Sequence, residues 1–164
     1  PKPSSAASDV YKRQEAISHL ILVDTKAEAD GAEAKAKRDA MAKDAREKGA
    51  RAVADAMMPN MLGNQPDAGV VSTLRQIMES QRPETLAAAC IAMRDREDFR
   101  EVLPKLKIPV GLIFGTEDKI SPLSIGEAIH QSVPGSKLFP IEKSGHLSPM
   151  ENPQAVAEAI LACV

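Results

Sequence analysis

Aromatic residues are scarce in this sequence of 164 residues, which has no tryptophan, one tyrosine and three phenylalanines. Stacking platforms for nucleobases or sugars are therefore not expected. The two cysteines, Cys90 and Cys163, are too few for a disulfide framework and lack the spacing of a zinc site. The sequence also has no large excess of either charge, because it contains 21 basic and 23 acidic residues and has a net charge of -2. These absences argue against a nucleic-acid-binding protein and a metal site.

Long hydrophobic runs are missing as well. Clear apolar runs such as Leu20–Val23 span only a few residues, far fewer than the about 20 apolar residues that a membrane-spanning helix needs. We therefore expect a soluble protein with no membrane partner. A cytoplasmic location is also our expectation, although the sequence holds no signal that specifies it. A chain of this length has room for one globular domain, and aliphatic and methionine side chains must line any pocket.

The start of the chain has an unusual composition. Residues 4–14 read SSAASDVYKRQ, and these eleven residues resemble the translation of a transposase sequencing adapter. We expect residues 1–14 to be a non-native leader and exclude them from the fold, as one excludes cloning scars. A natural, polar leader rich in serine and alanine is the alternative.

Two short apolar runs, at about residues 19–23 and 110–114, have the pattern of buried strands, and a third, at about 137–141, has the pattern of a strand. Helical periodicity separates them, which predicts an α/β fold with three parallel strands. The expected organisation is a core strand in residues 15–26, a helical block in 27–106 and a C-terminal core in 107–164. Pro140 lacks a backbone N–H and indicates that the third strand lies at a sheet edge.

Capping signals set the expected helix bounds. Asp30 and Glu33 have the spacing of a capping box for a helix that continues to Lys48. Pro59 is expected to stop the next helix. In the C-terminal core, Ser121 is the candidate N-cap of one helix and Asn152 that of the last.

An acid and an imidazole follow the second and third predicted strands. Asp118 and His146 should meet, because the carboxyl ends of parallel strands share one edge of the sheet. A carboxylate that accepts the Nδ1 proton leaves Nε2 of the imidazole free to act as a general base toward a nucleophile. The alternatives are that Asp118 is a loop carboxylate ahead of a helix cap, that His146 is a structural histidine, or that Glu117 is the acid.

The pattern around these residues resembles that of the α/β-hydrolases. Gly115-x-x-Asp118-x-x-x-Pro122 is followed by Gly145-His146-x-x-x-x-Glu151-x-Pro153, which is similar to the family's acid and histidine segments. Residues 20–30 (LILVDTKAEAD) resemble a core strand and cap entrance of small esterases and enol-lactonases. The resemblance implies that the helical block is a cap inserted between the first two strands.

The resemblance also implies a reaction. It points to a serine hydrolase that cleaves a small carboxylic ester or lactone through an acyl-enzyme, without a cofactor, with His146 as base and Asp118 as its orienting acid. No G-x-S-x-G occurs in the chain, so the resemblance places the nucleophile upstream of Ile17 and predicts that this chain is an inactive fragment. Ser144 is close to His146 but lacks the strand-to-helix elbow of a nucleophile. Five residues are candidates to line the substrate pocket: Met58, Met61, Leu62, Ile120 and Leu147.

Two other readings remain open at this point. A cofactor-free haloperoxidase or a C–C bond hydrolase would have the same acid and histidine pattern within the family. Alternatively, the Ala-rich, ion-paired helices form a non-catalytic interaction module that the three strands merely anchor.

Overall fold

A computed structural model describes residues 13–164. The predicted leader, residues 1–14, therefore lies outside the described residues except for its last two. The described chain divides into two units. The sheet unit comprises the residues up to Glu28 together with Asn60–Pro66 and Asp98–Val164, and the helical unit comprises Ala29–Pro59 and Asp67–Glu97.

The sheet unit contains three parallel strands in the order β1-β2-β3. Their bounds are β1 Leu20–Val23, β2 Val110–Gly115 and β3 Lys137–Ile141. Leu20 pairs with Val110, and Gly111 pairs with Lys137. The predicted α/β fold with three parallel strands is confirmed, and Pro140 lies on a strand that pairs with β2 alone among the described residues.

The central strand is buried on both faces because its residues alternate between two apolar clusters. Leu112 and Phe114 pack with Ile129 on one face, while Ile113 packs with Val156 on the other. The prediction that β1 is equally buried was wrong, since all four of its residues are only half-buried. Its side chains pack against both apolar clusters, but within the described chain β1 pairs on one edge only, so its other edge stays accessible.

Three helices accompany the sheet: α5 Leu123–Ser132, α6 Ser148–Glu151 and α7 Pro153–Leu161. The side chain of Asn152 accepts a hydrogen bond from the N–H of Ala155, so the predicted N-cap of the last helix is confirmed. Ser121 does not cap α5, contrary to the prediction. Its backbone N–H instead donates to the carboxylate of Asp118, which holds the preceding loop.

Four α-helices and a 3-10 turn at Leu103–Lys105 occur between β1 and β2. The α-helices are α1 Ala32–Lys48, α2 Ala50–Met61, α3 Ala68–Glu79 and α4 Pro83–Arg94. Within the helical unit, α1 and α4 share a core of small side chains that includes Ala45 and Ala87. Contrary to the prediction, α2 does not end before Pro59 but runs two residues past it. A proline this close to the helix end removes one backbone hydrogen bond and leaves little helix beyond it to disrupt.

Asp30 does not form the predicted capping box, because the N-cap position of α1 is Gly31 and no side chain caps the helix. The Asp30 carboxylate is instead buried and pairs with the guanidinium groups of Arg38 and Arg96, at 3.1 and 2.8 Å. Two cations compensate the buried charge, which makes Asp30 an anchor within the helical unit.

Candidate active site

Asp118 is held rigidly in the loop that follows β2. Its Oδ1 accepts hydrogen bonds from the N–H groups of Ile120 and Ser121, at 2.7 and 2.9 Å. The side chain is 0% exposed. Short side-chain bonds to the backbone two and three residues ahead are the usual way in which an aspartate fixes a turn. They leave Oδ2 of Asp118 available for another partner.

That partner is His146, in the loop that follows β3. Nδ1 of His146 lies 2.9 Å from Oδ2 of Asp118, and the imidazole is 24% exposed. The carboxylate accepts the Nδ1 proton, which favours the tautomer with an unprotonated Nε2. Nε2 has no hydrogen-bond partner in the described part of the chain. The structure thus brings together the two residues that the sequence analysis predicts to be catalytic, with the carboxylate on one ring nitrogen of the imidazole.

The environment of Asp118 favours its ionised form. Burial raises the pKa of the carboxyl group, but the hydrogen bonds from His146, Ser121 and Ile120 outweigh it, so the pKa falls below its ordinary value of 3.8. Asp118 is consequently a carboxylate at neutral pH and can stabilise an imidazolium at His146.

Three glycines let the loops around the pair approach backbone to backbone. A Cβ at Gly115 would lie 2.3 Å from the carbonyl oxygens of Ser144 and Gly145, and a Cβ at Gly145 would lie 2.4 Å from the carbonyl carbon of Leu62. A Cβ at Gly63 would lie 3.0 Å from the carbonyl oxygen of Lys143. Side chains at these positions would force the loops apart, so glycine is required for close approach.

The histidine loop is tied to the segment Met61–Asn64, a contact that the sequence did not predict. The N–H of His146 donates to the carbonyl of Met61 at 3.0 Å. Glu151 bridges the two segments, since its two carboxylate oxygens accept from the N–H groups of Gly145 and Gly63, each at 2.7 Å. The G-H-x-x-x-x-E-x-P spacing contained a signal for Glu151, but its partner at Gly63 is 88 residues away.

Glu117, the alternative acid, is used differently. Its carboxylate accepts a hydrogen bond from the N–H of Asn64, whereas the imidazole of His146 faces Asp118. The structure therefore places the carboxylate of Asp118, and not that of Glu117, at the imidazole.

The five predicted pocket-lining residues occupy different environments. Met61 and Leu62 are buried in the sheet unit, and the backbone of Leu62 packs on Gly145. Ile120 is 37% exposed and lies two residues after Asp118. Leu147 is half-buried and directly follows His146. Met58 is half-buried in the helical unit. Contact of these five residues with a substrate stays a prediction.

The two serines that flank His146 in the sequence, Ser144 and Ser148, bind other partners. Ser144 is buried, and its hydroxyl donates to the carbonyl of Glu142 at 3.3 Å. Ser148 is buried, and its hydroxyl donates to the carboxylate of Asp24 at 2.6 Å. A hydroxyl held in this way is not exposed for attack on a carbonyl.

Residues 13–164 contain neither of two other kinds of site. No three His, Cys, Asp or Glu side chains there are placed to hold a metal ion. No helix there has the length and apolar character that crossing a membrane demands.

Known structures and sequences resemble this arrangement. A thermophilic esterase from Thermogutta terrifontis superposes with a TM-score of 0.91 at 34% identity, over 96% of this chain and 59% of that one. The chain has the fold of the α/β-hydrolases. A pimeloyl-[acyl-carrier protein] methyl ester esterase of Neisseria meningitidis is 35% identical over 94 residues, which are 56% of this chain and 36% of that protein.

A third α/β-hydrolase relative is 3-oxoadipate enol-lactonase 2 of Acinetobacter baylyi, 29% identical over 104 residues that make up 63% of this chain and 38% of that protein. No family model matches the sequence. The chain spans little more than a third of these two curated relatives and about three fifths of the solved esterase.

Proposed function

We propose that this chain supplies the acid and the general base of a serine hydrolase that cleaves a small carboxylic ester or lactone. The observation that carries the proposal is the 2.9 Å contact between Nδ1 of His146 and the buried Asp118 carboxylate, with Nε2 left free. The likeness to esterases at 34 and 35% identity supports ester chemistry rather than another reaction of the same fold.

In this mechanism His146 acts twice. Its Nε2 first takes the proton of a serine hydroxyl as the serine oxygen attacks the carbonyl carbon, and it then returns that proton to the departing alkoxide oxygen. The products of this half-reaction are an acyl-serine and an alcohol, and for a lactone that alcohol group remains attached to the acyl chain. Nε2 next takes a proton from water, whose oxygen attacks the acyl carbon, and the serine leaves with that proton as the acid is released.

Asp118 remains ionised throughout. Its lowered pKa keeps the carboxylate charged at neutral pH, so that it stabilises the imidazolium formed in each step. The serine belongs, in this proposal, to a part of the enzyme outside the present chain. Ile120 and Leu147 flank the pair in sequence and are proposed to contact the acyl or alcohol group of the substrate.

A chimaera tests the proposal. The N-terminal part of the Thermogutta terrifontis esterase that this chain does not match is fused ahead of Glu15, and hydrolysis of p-nitrophenyl acetate is measured. We expect turnover that falls about 10³-fold or more in His146→Ala and in Asp118→Asn. Ser144→Ala is the matched control and should retain activity.

Two results would count against the proposal. A folded chimaera whose turnover is unchanged by His146→Ala would remove the base assigned here. Turnover by the 164-residue chain alone that disappears in His146→Ala would show that the nucleophile lies within this chain.

A further inference from the structure

Asp24 is a buried carboxylate that the mechanism above does not use. It directly follows β1, is 7% exposed and has a positive φ of 44°. Aspartate tolerates this left-handed region better than most residues, but the conformation still carries a cost. Its N–H donates to the carbonyl of Ile113 at 2.9 Å, which extends the β1–β2 ladder by one residue. Such a residue persists only where its partners hold it firmly.

Those partners belong to both loops of the candidate site. Oδ1 of Asp24 accepts from the N–H of Gly115 at 2.8 Å, three residues before Asp118. Oδ2 accepts from the N–H and the hydroxyl of Ser148, at 3.1 and 2.6 Å, two residues after His146. One carboxylate thus joins the start of the acid loop to the end of the histidine loop.

The same two loops also touch on their own backbones. The N–H of Glu117 donates to the carbonyl of Ser144 at 2.9 Å, and that of Thr116 donates to the carbonyl of Ile141 at 3.0 Å. In the sequence, these contacts lie between Gly115 and Ser148, the two residues that Asp24 binds. The separation of the loops is therefore fixed at two places, by direct backbone bonds and by the Asp24 carboxylate.

We propose that Asp24 is a positioning residue whose carboxylate, by holding Gly115 and Ser148, fixes the distance between Asp118 and His146. This inference rests on the proposed function, because the distance serves to keep His146 in the Nδ1–H tautomer with Nε2 free. Each oxygen of Asp24 is spent on a backbone or hydroxyl donor, so Asp24 acts through the loops and not on a substrate.

The tautomer of His146 distinguishes this role from a merely structural one. It is measured by ¹⁵N NMR of the 164-residue chain at alkaline pH, where imidazoles are neutral, and His146→Ala assigns the signals among the three histidines. We expect the Nδ1–H form in the wild type. An asparagine at position 24 offers one acceptor oxygen where two are needed, so Asp24→Asn should lose that form as the main species.

A matched control separates positioning from stability. Asp30 is also buried, at 4% exposure, and its two arginine partners lie in the helical unit. Asp30→Asn should lower the stability of the chain yet leave the His146 tautomer as it is in the wild type. Asp118→Asn is the positive control and should abolish the preference for Nδ1–H.

Ser148→Ala keeps the inference testable if Asp24→Asn does not fold. It removes the 2.6 Å hydroxyl bond and retains the backbone one, so a smaller shift in the same direction is expected. An unchanged tautomer in whichever of the two variants folds overturns the role of Asp24. If Asp118→Asn also leaves the tautomer unchanged, the proposed function fails as well, and the two failures are thereby told apart.

Discussion

Replacing Gly145 with alanine should push the histidine loop away from the Leu62–Gly63 backbone and destabilise the fold. The added Cβ would lie 2.4 Å from the carbonyl carbon of Leu62 and 2.5 Å from the nitrogen of Gly63. Both are backbone atoms, which cannot rotate away as a side chain can. Ordinary contact begins near 3.4 Å, so one segment must move by roughly 1 Å.

The magnitude follows from the hydrogen bonds that this shift breaks. A displacement of roughly 1 Å takes the 2.7 Å bond from Gly145 to Glu151 and the 3.0 Å bond from His146 to Met61 beyond hydrogen-bonding distance. A bond to a charged group contributes about 2 kcal/mol and a neutral one about 1 kcal/mol. The free energy of unfolding should therefore fall by about 3 kcal/mol, which for a chain of this size lowers Tm by about 6–12 °C.

Thermal unfolding followed by circular dichroism measures this change. Gly31→Ala is the control, because no atom lies within 4 Å of the Cβ it would add, and its cost should stay within about 1 kcal/mol. A Gly145→Ala variant that melts within about 2 °C of the wild type would show that the close backbone approach does not constrain the loop.

Three further predictions concern buried or bridging carboxylates. Asp30→Asn should lower the free energy of urea unfolding by about 3 kcal/mol, because it leaves two arginines without their anion, whereas exposed Asp55→Asn should change it by under about 0.5 kcal/mol. Because the pKa of Asp118 is lowered from its ordinary value of 3.8, the ionised carboxylate stabilises the folded chain at pH values above 3.8, and this stability is lost as the pH falls further. In Asp118→Asn, the urea concentration at the unfolding midpoint should therefore depend less on pH in the acidic range. Glu151→Gln should lower the free energy of urea unfolding by about 2 kcal/mol, because it weakens the bridge to Gly63 and Gly145. Exposed Glu158→Gln should leave that free energy almost unchanged.

The elements that the sequence predicted well are those set by local signals. Continuous apolar runs located β2 and β3 to within a residue, and Asn152 followed by Pro153 marked the start of α7 correctly. Local rules failed where a distant partner competes. Asp30 has the spacing of a capping residue, yet two arginines claim its carboxylate, one of them 66 residues away.

The candidate site shows the same division. Asp118 and His146 were found because each follows a predicted strand, and parallel strands end at one edge of a sheet. Asp24 follows β1 in the same way and was passed over, since its partner Ser148 is 124 residues distant and carries no motif. The rule that parallel strands end at one edge of a sheet applies to Asp24 as it does to Asp118.

The pairing of β1 with β2 has a consequence for synthesis on the ribosome. Leu20 pairs with Val110, which is 90 residues downstream, so at roughly 5–20 residues per second the first strand waits about 5–18 s for its neighbour. During that interval the hydrogen-bonding edge and apolar side chains of β1 are open to other nascent chains. Yield in a host cell should therefore depend on holdase chaperones that shield the emerging segment, and slower translation should increase that dependence.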